Sequence, residues 1–356
     1  MEKQLDLFRA RILDASAQGQ ALCIRGGGSK DWYGREPVGD VLDTRAYSGI
    51  VSYDPTELVI TVCSGTPLTE VEAVLAQRNQ TLAFEPPHFG AGATVGGMVA
   101  AGLAGPRRAA VGAVRDFVLG ASLMNGRGEV LHFGGQVMKN VAGYDVSRML
   151  AGSLGTLGLL LDVSLKVLPR PYAETSVRLA LNEADAIRRL NEWGGQPLPI
   201  SASAWCDGVL AVRLSGAQAA IAAARDFIGG DEMHDADTFW IAMREQSNDF
   251  FAQAPVLWRL SVPSTTPPLA LAGEQLIEWG GAQRWLRTHD ASAEAAQEIR
   301  SVASAVGGHA TLFRGGDRTG QVFHPLASAV ERIHRNLKQT FDPAGIFNPG
   351  RMFDAF

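Results

Sequence analysis

The chain has 356 residues, 46% hydrophobic and 19% charged, a globular composition long enough for two cores. Its formal net charge of -5 carries no basic footprint and argues against a nucleic-acid partner. Three cysteines, Cys23, Cys63 and Cys206, form no Cys-x-x-Cys pair, so they supply neither an iron–sulfur ligand set nor a disulfide framework, and no histidine pair has metal-binding spacing.

Leu5, Phe8, Ile12 and Ala15 recur at helical spacing and predict an amphipathic first helix rather than a signal peptide. Leu22-Cys23-Ile24 reads as a strand ending in the turn Gly26-Gly27-Gly28. A second strand, Leu58 to Cys63, is followed by Thr66 as helix cap, Pro67 at the first helical position and a buried stripe of Leu68, Val71 and Leu75. Phe117 to Met124 and Glu129 to Phe133 flank Asn125-Gly126-Arg127-Gly128, a hairpin signal. Leu161, Val163, Leu165 and Val167 alternate as another strand. The run Leu157 to Leu168 is the most apolar of the chain, but Gly158, Asp162 and Lys166 break it, so it is too short and polar to span a bilayer. A cytoplasmic location is the default expectation.

Pro169-Arg170-Pro171 marks the expected domain boundary, beyond which glycines thin out and Ala-rich helices follow. Strands near Thr175 to Leu181, Ile200 to Trp205 and Val209 to Leu214 alternate with helices near Asp185 to Trp193 and Ala217 to Phe227, a βαββαβ order like that of a ferredoxin-like layer. No internal repeat is evident. Trp193, Trp205, Trp240, Trp258, Trp279 and Trp285 all fall in this half and read first as core residues, with a subunit interface as the other use.

Chemistry concentrates in the glycine-rich first half. In Arg25-Gly26-Gly27-Gly28-Ser29-Lys30 three residues without Cβ let consecutive amides converge on an anion, with Ser29 and Lys30 adding a hydroxyl and a charge. By itself the motif reads equally as a pyrophosphate cradle and as a surface loop, and it has the spacing of neither a P-loop nor a Rossmann turn. After Pro86-Pro87, the small residues Gly90 to Gly97, among them Gly92, Ala93, Thr94, Val95 and Gly96, permit a flat ligand to lie against backbone or a helix to pack tightly. Gly112, Arg115 and Asp116 form a third motif. A fourth runs from Asn140 through Gly143, Tyr144 and Asp145 to Gly152-Ser153-Leu154-Gly155-Thr156-Leu157-Gly158, a turn rich in amide and hydroxyl donors.

In that order these motifs resemble the FAD-binding PCMH-type domains of the vanillyl-alcohol-oxidase superfamily, and Phe341-Asp342-Pro343-Ala344-Gly345-Ile346-Phe347-Asn348-Pro349-Gly350-Arg351 resembles the superfamily's C-terminal signature. Within it, the Gly-Gly-Gly-Ser-Lys-Asp-Trp-Tyr-Gly loop and Met138 to Asp145 are similar to the E-subunit family of bacterial glycolate oxidases. The resemblance implies an α+β fold: a PCMH-type FAD domain of two α+β subdomains over 1–171, a ferredoxin-like α+β cap over 172–340, and a C-terminal segment, 341–356, returning to the first. It implies that Arg25, Gly26, Gly27, Gly28, Ser29, Lys30, Pro86, Gly92, Ala93, Thr94, Val95, Gly96, Gly97, Gly112, Asp116, Gly143, Tyr144, Gly152, Ser153, Gly155, Thr156, Leu157 and Asn348 line the FAD site. It also implies a related flavin-type catalytic subunit and an iron–sulfur subunit as partners, a small 2-hydroxy acid as substrate, and at most peripheral membrane contact through those partners.

Where covalent members of the superfamily carry His or Cys near the first loop, this chain has Lys30, Asp31 and Trp32, so the flavin is expected to be non-covalent. Gly307-Gly308-His309-Ala310-Thr311-Leu312-Phe313-Arg314 stands where the related catalytic subunit is expected to carry a His-rich segment. His309 as general base and Arg314 as carboxylate clamp are the catalytic candidates. Both also read as a strand start and a solvated surface charge, which leaves a non-catalytic assembly or relay subunit as the alternative. A self-sufficient sugar-acid or lactate oxidase is a third reading.

Overall fold

A computed structural model describes residues 2–135 and 145–354. Gly143 and Tyr144, and most of the motif that contains them, lie outside the described residues. The first half is built on a five-stranded antiparallel sheet ordered Ile50–Asp54, Val59–Cys63, Leu159–Lys166, Val118–Met124 and Val130–Gly134. Its central strands are apolar at successive positions because both faces are covered. On one face Ile60, Val62, Val163 and Leu165 pack against the helices Leu68–Ala76 and Val95–Ala101. On the other, Phe8, Ile12 and Ala15 of the helix Glu2–Gln18 meet Cys63, Met124, Leu159 and Leu161. Beside this sheet Leu22–Arg25 pairs in parallel with Asp40–Asp43.

Two local expectations change. Thr66 does not cap a helix; its buried hydroxyl accepts from the Gly49 amide at 2.8 Å and donates to the Cys63 carbonyl at 2.8 Å, and Pro67 takes the cap position of Leu68–Ala76. The strands Asp40–Asp43 and Ile50–Asp54 went unanticipated, being short edges with little apolar alternation.

The second half is one eight-stranded sheet made of two four-stranded units. Ala173–Ala180, Ile200–Cys206, Val209–Gly216 and Asp231–Glu232, with the helices Glu183–Gly194 and Gln218–Ile228, give the βαββαβ unit in spatial order fourth, first, third, second. Val256–Ser261, Glu274–Glu278, Gln283–Thr288 and His309–Arg314 repeat that order, with the helix Ala293–Ala305 before the last strand and a loop, 262–273, in place of the first helix. The units join where Ile200–Cys206 pairs with Glu274–Glu278. The helices cover one face, while Ala202, Ala204, Leu257, Leu276, Trp285 and Phe313 form the other and meet Tyr33, Ala101, Leu103 and Leu154 of the first half. All six tryptophans named above are buried.

The end of the chain locks onto the first half. From the helix Ser328–Phe341, Lys338 Nζ donates to Asp342 Oδ2 at 2.7 Å, to the Thr156 carbonyl at 2.8 Å and to the Phe347 carbonyl at 2.7 Å, all buried. Asp342 in turn accepts from the amides of Ile346 and Phe347. Removing one member of a buried, fully bonded pair leaves the other charge desolvated and alone, so Lys338→Met is expected to lower the unfolding free energy by about 3–5 kcal/mol. Equilibrium urea denaturation measures it; a change within about 0.5 kcal/mol, the level of an ordinary surface substitution, contradicts this role.

Candidate functional site

The strand Leu22–Arg25 delivers Gly26, Gly27 and Gly28 against the turn before the helix Val95–Ala101. The approach is closed to any side chain: a Cβ on Gly26 would lie 2.3 Å from Thr94 Oγ1, and one on Gly27 only 1.5 Å from the Gly92 carbonyl oxygen. Thr94 caps that helix by accepting from the Gly97 amide at 3.2 Å, and a Cβ on Gly96 would meet Ser64 Cβ at 2.7 Å. From the third turn, Gly155 packs against Asn348 Nδ2. Asn348 ties these pieces together, its Oδ1 accepting from the Ile24 amide at 2.7 Å and its Nδ2 donating to the Leu154 carbonyl at 2.6 Å.

Gly26, Ser64, Gly96, Gly97, Gly155 and Asn348 thus line one cavity of about 60 Å³. That is below the roughly 300–1,000 Å³ of small-molecule sites. Ser64 Oγ is buried at this wall without a hydrogen-bond partner. Residue types alone did not mark Ser64, because its role depends on strand Val59–Cys63 ending beside Gly96.

The other candidates stand elsewhere. Arg25 pairs with Asp31 at 2.7 Å and leans over Gly28. Lys30 turns away from the cavity: its Nζ donates to the His88 carbonyl at 3.1 Å, beside buried Pro86 and Pro87, and burial, opposed by Glu245, pulls its pKa down to about 8. Ser29 sits next to it. Asp116 closes its own turn at Gly112 by accepting from the Ala113 amide at 2.8 Å. Gly152 donates to the Val99 carbonyl at 3.0 Å, Ser153 accepts from Thr156, and Ala93, Val95 and Leu157 are core.

His309 and Arg314 do not come together. They occupy opposite ends of one edge strand, roughly 16 Å apart at about 3.3 Å per residue. Arg314 stacks on Trp32 at 4.7 Å and donates to Gln246 Oε1 at 2.9 Å, so it is neither a solvated charge nor a partner for the histidine. His309 instead opens on a cavity of about 440 Å³ with Tyr33, Arg259, Thr311 and His324. Its outer edge meets solvent, while desolvation, Arg259 and His324 lower its pKa, so it stands neutral.

Glu278, also unanticipated, is buried where the sheet faces the first half and accepts from Trp285 Nε1 at 2.7 Å. The available signal was an acid in phase with the buried Leu276.

A family model described as "FAD binding domain" matches residues 6–134. Glycolate oxidase subunit GlcE of Escherichia coli (strain K12) is 51% identical over 332 residues, covering 93% of this chain and 92% of that protein. The chain belongs to the GlcE family. Glycolate oxidase subunit GlcD of Bacillus subtilis (strain 168) is 30% identical over 181 residues, which is 50% of this chain and 38% of GlcD. Among solved structures, an alkyldihydroxyacetonephosphate synthase superposes with a TM-score of 0.66 at 14% identity, covering 96% of this chain and 74% of its own, a likeness of fold. Like its family, the chain is an α+β FAD-binding oxidoreductase subunit. The residues present fit that cofactor: side-chain-free backbone for close approach and an orphaned hydroxyl facing the cavity. Among the described residues no helix is long and apolar enough to cross a membrane.

Burial pushes the Glu278 carboxyl up to about 7 from an ordinary 4.5. Between those values the folded chain holds a proton that the unfolded chain has released, so stability falls as pH rises through this window, by about 3 kcal/mol. Glu278→Gln keeps the acceptor for Trp285 and removes the titration, and it is expected to flatten this loss between pH 5 and 8 in urea denaturation. An unchanged pH slope contradicts the assignment.

Proposed function

We propose that this chain is the FAD-binding subunit of a glycolate oxidase, oxidising glycolate or a similar small 2-hydroxy acid, with electrons leaving through an iron–sulfur partner and a related flavin-type subunit. In this reading 1–171 is the FAD domain, 172–340 the cap, and 341–356 the segment that closes on the first. The observation that carries it is the likeness to GlcE over nearly the whole of both chains, joined to a cavity walled by the glycine turns.

FAD, bound without a covalent link, supplies a two-electron acceptor. The chain's own part is to present the backbone of 26–28 to phosphate oxygens, to offer the Ser64 hydroxyl, and to hold the substrate between the two halves. His309, neutral and facing the larger cavity, accepts the proton of the substrate hydroxyl. The separation of His309 from Arg314 favours a second reading, in which this subunit relays electrons or supports assembly while the related subunit oxidises substrate.

Purified chain titrated with FAD should hold a yellow flavin; a colourless protein that ignores FAD overturns the proposal. Anaerobic glycolate then separates the readings: bleaching by the isolated chain supports oxidation here, and bleaching only after the partners are added supports the relay. Removing an orphaned hydroxyl relieves its desolvation, so Ser64→Ala is expected to raise apoprotein stability by about 1 kcal/mol. FAD binding should weaken by roughly tenfold from the lost hydrogen bond, as read by flavin fluorescence. Unaltered FAD affinity contradicts a role for Ser64.

A further inference from the structure

Arg107, Arg213, Arg244 and Arg287 each meet a glutamate, respectively Glu85, Glu85, Glu245 and Glu274. Arg259 does not: among the described residues no carboxylate lies within ion-pair range, and its Nε donates to the Gln283 amide oxygen at 2.8 Å. It stacks 5.3 Å from the centroid of Trp279, whose ring also carries Arg108 at 4.4 Å. Two guanidiniums thus stack on one buried ring, Arg259 from the sheet and Arg108 from the helix Arg108–Val111 of the first half.

The sheet aims Arg259 at the larger cavity. Across the paired strands Arg259 stands opposite Thr311 and Ser261 opposite His309, so all four project from the same face. Tyr33 reaches over from the first half and lines the same cavity as the guanidinium. The space they enclose, with His324, is about 440 Å³, within the range of small-molecule sites.

We infer that Arg259, with Tyr33 and Thr311 beside it, is the site that holds the carboxylate of the small 2-hydroxy acid, placing its hydroxyl toward His309. The guanidinium offers its terminal N–H groups to the two carboxylate oxygens, and Trp279 with Arg108 behind it fixes the plane. This rests on the proposed function, and it moves the clamp from Arg314, which does not line the cavity that His309 opens on, to a residue that sequence spacing did not mark.

The test is calorimetric titration of the FAD-loaded full chain with glycolate and with oxalate. Arg259→Gln is expected to weaken both roughly tenfold to a hundredfold, the value of charge-assisted hydrogen bonds, and Arg259→Lys to lose less. Phenylglyoxal labelling of the wild-type chain, read by peptide mass spectrometry, needs no variant: oxalate should protect Arg259 and leave exposed Arg188 labelled. FAD retention by each protein is recorded in parallel, so loss of FAD reports on the proposed function alone. The inference is overturned if FAD-loaded wild-type chain binds neither acid, if oxalate leaves Arg259 labelled, or if Arg314→Gln abolishes binding while Arg259→Gln does not.

Discussion

Gly27 has room for a hydrogen and nothing more. Its Cα faces the carbonyl of Gly92, Gly26 faces the Thr94 hydroxyl, and Gly96 faces Ser64, so three turns far apart in sequence share one volume only because their side chains are missing. Asn348 then bridges Ile24, just before the first of these turns, to Leu154 in the turn 152–158, and Lys338 with Asp342 holds the segment that carries Asn348. The cofactor region therefore depends on the last residues of the chain as much as on the first. Any larger residue at Gly27 forces backbone to move.

Around that contact the two halves meet through a seam that is aromatic at its centre and charged at its margin. Tyr33, Trp32, Phe89, Trp285 and Phe313 pack ring to ring, and their edge-to-face contacts exclude water from the charges beside them. In such surroundings the state of each ionisable group follows from its neighbours. Lys30 and Glu278 are pulled toward neutrality by burial, and desolvation with Arg259 and His324 lowers the pKa of His309. Arg259 has no carboxylate partner among the described residues and lines the cavity that His309 opens on, which is the position a carboxylate site requires.

Much of the first half was legible because its signals are local. A hydrophobic stripe every third or fourth residue produced the helix Glu2–Gln18, and Asn125-Gly126-Arg127-Gly128 produced the hairpin between Val118–Met124 and Val130–Gly134. The glycine turns were visible as composition, and several of their residues do line one cavity. Motif membership says nothing of what a side chain bonds within the protein: the His88 carbonyl for Lys30, the Ala113 amide for Asp116. The second half hid more. Its duplicated strand order leaves no visible sequence repeat, since a helix in the first unit is a loop in the second, and alternation within a strand does not say which strand lies beside it. Arg259, Glu278 and His309 come from different strands and become a group only through that pairing.

The central claim is that FAD lies where the glycine turns converge. Hydrogen–deuterium exchange of the full chain with and without FAD tests it directly. Protection should appear in the peptides covering 22–30, 90–98 and 152–158 together, with a smaller effect at Asn348. Protection confined to another part of the chain, or none in these turns at saturating FAD, contradicts the account.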